Sequence, residues 1–209
     1  MDAALVLRAL RARDDLVAGR LRCRALRDLI LSVPTADRET FVDEVLGLPS
    51  PPPDEVLPRG AVPYLPCNVD DVIAALYAVP VSPHDRFVDL GAGLGRVAIL
   101  AHLLTGARAH GVELQAPLVE LARARAAALG LPAVTFAHAD AAEAELAGTM
   151  FFLYAPFNGD LLRRVLVRLE AVERPFVIAT VDLELHGAPW LRARPFTSSA
   201  VTIYDALAA

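Results

Sequence analysis

Three glycines at alternate positions constrain this chain more than any other feature. They lie in Phe87-Val88-Asp89-Leu90-Gly91-Ala92-Gly93-Leu94-Gly95-Arg96-Val97-Ala98-Ile99-Leu100, a stretch that reads as an apolar strand, a turn and an apolar helix. Glycine permits positive φ and lets a ligand approach bare backbone. The helix behind the turn aims unpaired N–H groups, and the positive end of its dipole, at that ligand. A turn of this kind in an α/β sheet suits a nucleotide-type ligand. Spacing narrows the choice. A dinucleotide fingerprint, G-x-G-x-x-G, would need glycine at position 96. The residue there is Arg96, and the third glycine comes early, at Gly95. Asp89, two residues before the first glycine, would repel a pyrophosphate and welcome the cationic end of an amino acid. Both features argue against an NAD(P)-dependent reductase.

The bulk properties set the frame for this turn. A chain of 209 residues accommodates one α/β domain with an extension and buries a real core. Hydrophobic residues make up 55 %, yet no run approaches the ~20 apolar residues of a membrane span. The N-terminus is charged from its second residue, which is unlike a signal peptide. Cys23 and Cys67 lack metal-site spacing and are expected to stay reduced. The expectation is a cytoplasmic chain with no membrane and no metal. A net charge of −5 argues against nucleic acid as a partner.

Residues 3–31 read as one long helix or two, with Gly19 as the candidate break. Arg8, Arg11, Arg13, Arg20, Arg22, Arg24 and Arg27 give these helices a basic side, read as a solvated face with Asp14, Asp15 and Asp28 as partners, or as a surface for an acidic partner. A helix over 36–47 closes at Gly47. Residues 49–63 hold Pro49, Pro51, Pro52, Pro53, Pro58 and Pro63 and form an extended linker. A helix over 69–79 has Asn68 as its N-cap. Strands are expected at 86–90, 108–113, 133–137, 149–154 and 175–181. Helices are expected at 95–105, 115–129, 141–147 and 159–171. A closing pair of strands, near 190–196 and 200–205, completes an open doubly wound sheet. The expected division is a helical extension over 1–48, the linker over 49–63 and an α/β domain over 64–209.

The pattern D-x-G-x-G-x-G resembles motif I of the class I S-adenosylmethionine (SAM) methyltransferases, over roughly residues 60–205. That resemblance implies a Rossmann-like, doubly wound, seven-stranded sheet and SAM as cofactor. It places Asp89, Gly91, Ala92, Gly93, Gly95 and Arg96 at the cofactor. Arg96 would reach the cofactor's carboxylate or Asp89, or form a structural salt bridge. Glu113, followed by Leu114, ends the second strand, where a carboxylate accepts both ribose hydroxyls. Asp140, with Ala141, follows the third strand. An acid there accepts from the adenine amine, and it also serves as an ordinary N-cap. After the fourth strand, Tyr154-Ala155-Pro156-Phe157 occupies the place where amino-methylating DNA enzymes carry [DN]-P-P-[YF]. The departure argues against nucleobase N-methylation. Tyr154, Phe157 and Asn158 are the candidates for the acceptor side, with core packing and helix capping as their structural alternatives.

Pro63-Tyr64-Leu65-Pro66, V-D-L-G-x-G-x-G-R, G-V-E-L and Thr202-Ile203-Tyr204-Asp205 together resemble a branch of protein-lysine methyltransferases. That branch includes the Dot1-like enzymes and those acting on the ATP-synthase c-subunit. The resemblance places Tyr64 near SAM, or as a linker anchor. It makes a protein lysine the favoured acceptor, with a small-molecule N- or O-methyltransferase, or a non-catalytic SAM-binding protein, as alternatives. All 20 basic residues are arginine, so the chain has no lysine of its own to methylate.

Overall fold

The computed structural model describes residues 1–195 and 200–207. Its frame is β1 (Arg86–Leu90), which lies between two parallel neighbours, β2 (Arg108–Glu113) and β4 (Met150–Tyr154). β3 (Val134–His138) extends the sheet beyond β2, and β5 (Val177–Val181) extends it beyond β4. The last two strands, β6 (Leu191–Ala193) and β7 (Val201–Ala206), form the expected antiparallel hairpin, with β7 inserted beside β5. The order is β3-β2-β1-β4-β5-β7-β6. The chain runs outward one way through β1–β3 and the other way through β4–β5. A switch point therefore falls between β1 and β4, where open α/β sheets bind ligands. Residue 196 of the predicted strand over 190–196 lies outside the described residues.

The strands are apolar because both faces are covered. Phe87 and Phe152 point to one face, where α4 (Val69–Ala78), α5 (Arg96–Thr105) and α6 (Ala116–Ala128) pack. Val88 and Phe151 point to the other, against Leu161, Val165 and Leu169 of α7 (Gly159–Glu170). Each fully buried phenylalanine contributes roughly 2–3 kcal/mol. Two helix boundaries follow from their cap residues. Asn68 accepts from the Asp70 N–H at 2.8 Å, and Gly47 closes α3 (Thr35–Leu46) in the left-handed conformation.

The N-terminal region divides at Gly19 into α1 (Ala3–Val17) and α2 (Cys23–Leu31). With α3 these helices join the core cluster on the α5 face of the sheet. Three of their arginines take the expected local partners: Arg20 pairs with Asp15, and Arg24 and Arg27 pair with Asp28. Arg13 instead reaches Glu44 of α3. One element departs from expectation. The predicted helix over 141–147 is absent: residues 141–143 form a turn and 144–147 are irregular. The Asp140 carboxylate accepts from the Ala142 N–H at 2.8 Å, and its carbonyl accepts from Glu143 and Ala144. Gly148 follows at once, so too few residues remain to offset helix nucleation.

Candidate active site

The carboxyl ends of β1, β2, β3 and β4 enclose a cleft that opens to solvent. Tyr64, Gly91, Glu113, Leu114, Asp140, Ala141, Tyr154 and Phe157 all line it. A narrow recess continues from it and is lined by Asp89, Ala92 and Arg96. The glycines divide the work. A Cβ on Gly93 would strike the Tyr64 ring and one on Gly91 would strike Pro156, so both keep the turn thin beneath the cleft. Gly95 faces the other way, where a Cβ would strike Phe136 and Ala122. Its role is packing. Asn158 does not line the cleft. It is exposed at the N-cap of α7, makes no side-chain cap bond, and donates its backbone N–H to Gly60 O at 2.8 Å.

Asp89 is buried, and its Oδ2 has no hydrogen-bond partner among the described residues. Burial, with the charge of Glu113 added, pushes its pKa up to about 8. Glu113 is already engaged: one oxygen accepts from the Gly93 N–H at 2.8 Å and the other from the Gln115 N–H at 2.9 Å. Each oxygen keeps a further lone pair for a ligand hydroxyl. Arg96 is also buried, and it is turned toward the N-terminal helices. It pairs with Glu39, with Asp43 at 2.5 Å, and donates to Cys67 O at 2.9 Å. Burial disfavours its charge, but Asp43 and Glu39 outweigh that and hold the guanidinium above its usual pKa. Asp43 itself is raised, because its own desolvation exceeds the pull of Arg96. Of the expected alternatives for Arg96, the ion pair is the one present. Arg96 lines the same recess as Asp89, and its Nε, like Asp89 Oδ2, is buried with no hydrogen-bond partner among the described residues.

The proline-rich stretch is more than a linker. It crosses the cleft as a strap, with Leu57 and Ala61 to Leu65 forming one wall. One end is clasped by Gln115. Its side chain accepts from the Glu55 N–H and donates to Asp54, both at 2.8 Å. The other end is tied to the loop after β4, where the Val62 N–H donates to Pro156 O at 3.1 Å and Ala61 bridges Phe157. The Tyr64 ring lies against Gly93, and burial raises its hydroxyl to about 12. In the sequence Gln115, the sole glutamine, stands out only as a retained amide. Gln115→Ala removes both side-chain bonds, each worth ~1 kcal/mol net. The expected result is a several-fold faster release of bound SAM in stopped-flow measurements, with little change in global stability.

Residues 87–165 match the family model described as a methyltransferase domain. Among solved structures, the chain is similar to an RNA methyltransferase from Salinibacter ruber bound to S-adenosyl-L-homocysteine (SAH). Identity is 27 %, over 68 % of this chain and 94 % of that one, with a TM-score of 0.58. It shares its fold with the putative methyltransferase yhhF from Escherichia coli at 19 % identity, 73 % and 91 % coverage and a TM-score of 0.57. It also shares the fold of a geranyl diphosphate C-methyltransferase from Streptomyces coelicolor A3(2), at 19 % identity, 55 % and 43 % coverage and a TM-score of 0.50. No curated protein sequence matches the chain.

Proposed function

We propose that this chain, a SAM-dependent methyltransferase with a class I, Rossmann-like fold, methylates an amine, with a lysine side chain of another protein as the favoured acceptor. In this reading residues 1–48 are an extension, 49–63 the strap and 64–209 the catalytic domain. Asp89 takes the cofactor's α-ammonium, Glu113 its ribose hydroxyls and Asp140 its adenine amine. SAM supplies a methyl group already activated by its sulfonium. The protein's part is placement and exclusion of water. The turn and the strap hold the cofactor. Tyr154 and Phe157 wall the space where the acceptor nitrogen must arrive.

The observation that carries the amine reading is charge. Of the acids that line the cleft, Glu113 and Asp140 are given to the cofactor, which leaves Asp182 on the acceptor side, and no arginine or histidine among the described residues lines the cleft. Such a cleft favours a cationic acceptor and disfavours a polyanion. No residue of the 1–48 extension lines it, and Leu65 at its edge is 61 % exposed. The acceptor side is thus an open groove, the shape suited to a protein segment. A nucleic-acid acceptor is the second reading, favoured by the RNA methyltransferase likeness at 27 % identity.

The test is incubation with methyl-labelled SAM and a lysate of the source cells. The expected result is label in a protein band that yields methyl-lysine on acid hydrolysis. The enzyme's own band is an internal blank, since the chain holds no lysine. Label released by ribonuclease, or confined to the small-molecule fraction, overturns the protein-lysine assignment.

A further inference from the structure

Resting on the placement of SAM proposed above, we infer that the rings of Tyr64 and Tyr154 form a neck that recognises the sulfonium, so that the site tells SAM from its demethylated product. The wide cleft and the narrow recess meet at four residues that line both: Tyr64, Leu65, Gly91 and Tyr154. None of the four carries a charge. The sheet brings two of them together. Asp89 of β1 stands in register with Phe152 of β4. Two residues on, Gly91 and Tyr154 leave the sheet side by side at the switch point. Tyr64 arrives from the strap. Its ring meets Gly93 by the Cδ2–Cε2 edge, so it stands on the glycine turn as a second post of the neck.

The chemistry of SAM puts its sulfur at this neck. The sulfur joins the amino-acid arm to the ribose. With the α-ammonium at Asp89, in the recess, and the ribose hydroxyls at Glu113, in the cleft, the sulfonium falls between them. Tyr64 stands within reach of both acids. Its hydroxyl is raised chiefly by burial, against the pull of Arg96, and the charges of Asp43, Asp89 and Glu113 add to the rise. A sulfonium has no N–H or O–H to donate, so no hydrogen-bond acceptor can hold it by a proton. An electron-rich ring face attracts it through the ring quadrupole. Asp89 is engaged by the ammonium and Glu113 by the ribose, which leaves the two rings as the partners of the sulfonium. On transfer the lone pair of the acceptor nitrogen takes the methyl carbon, the C–S pair stays on sulfur, and the positive charge passes to nitrogen. The sulfur is then a neutral thioether, and the rings hold it less tightly than they held the cofactor.

The test compares SAM with its carbon isostere, in which a CH group replaces S⁺ and keeps the shape without the charge, by calorimetric titration. Wild-type protein is expected to bind SAM more tightly than the isostere by about tenfold or more. Tyr64→Leu and Tyr154→Leu each lower that ratio about fivefold, the loss of one ring's attraction for the cation. Tyr64→Phe and Tyr154→Phe keep the ratio, because phenylalanine retains the ring face. A ratio unchanged in either leucine variant overturns the role of that ring and leaves the cofactor placement standing. Wild-type protein that binds both compounds alike overturns the neck as a whole, again without touching that placement. Loss of both compounds in a leucine variant assigns that tyrosine to the scaffold and overturns its role. Phenylalanine variants that lose the ratio overturn the proposal too, by moving the recognition to the hydroxyls. Wild-type protein that binds neither compound overturns the placement of SAM, and this proposal with it.

Discussion

Asp89→Asn is expected to stabilise the protein and to weaken its hold on SAM. The two effects share one cause. Asp89 is buried and half-satisfied, and its pKa stands at about 8 against an ordinary 3.8. A carboxyl raised on folding favours the folded state below its unfolded pKa. That advantage is lost as pH rises toward the folded pKa. Wild-type stability should therefore fall between about pH 4 and pH 8 and level off above. Asparagine carries no charge and escapes the loss. At pH 8 its gain should be on the order of 2–4 kcal/mol, roughly 5–10 °C in Tm for a chain of this size. At pH 5 most of that gain should vanish. The SAM affinity should drop by more than tenfold, because a charge-assisted contact to the α-ammonium is lost. Calorimetric titration and thermal melts across this pH range measure both effects. A variant that is less stable at pH 8, or that binds SAM as well as the wild type, would sink the assignment.

Arg96→Leu is expected to unfasten the N-terminal helices from the cofactor turn. Removing the buried guanidinium strands Glu39 and Asp43, and leaves Cys67 O without a donor. Breaking a buried pair from one side costs roughly 3–5 kcal/mol. The lower end applies here, since both acids are 38 % exposed and can hydrate. Urea unfolding should report about 3 kcal/mol. Limited proteolysis should find new cuts between residues 49 and 63. Stability within about 0.5 kcal/mol of wild type would show that the ion pairs fasten nothing.

What the sequence reveals and what it hides follow from the range of each interaction. The glycine turn, the Asn68 and Gly47 caps and the break at Gly19 are local devices, and each is legible within a few residues. The doubly wound sheet follows because alternation of strand and helix leaves few topologies. The orientation of Arg96 stays open because its partners, Glu39 and Asp43, lie far off in sequence. An ion pair through space leaves no periodic trace. The same holds for Gln115, whose clasp joins it to Asp54 and Glu55. Asp182 escapes a sequence reading for another reason. It lies just past β5, where regular periodicity ends, and an acid there looks like any loop acid until its neighbours are seen. The stretch over 141–147 is mistaken for a helix because an aspartate that caps a helix and one that closes a turn begin alike.

The strap leaves the body after α3 and returns at Cys67. Glu39 and Asp43 precede it, Cys67 O follows it, and a single guanidinium grips all three. Both feet of the strap therefore stand on one bolt. A hoop pinned at both feet cannot swing aside like a flap; it must bow. Its prolines remove much of the slack that bowing needs. Exchange of cofactor beneath it is expected to be slower in the wild type than in a variant with loosened feet, such as Arg96→Leu.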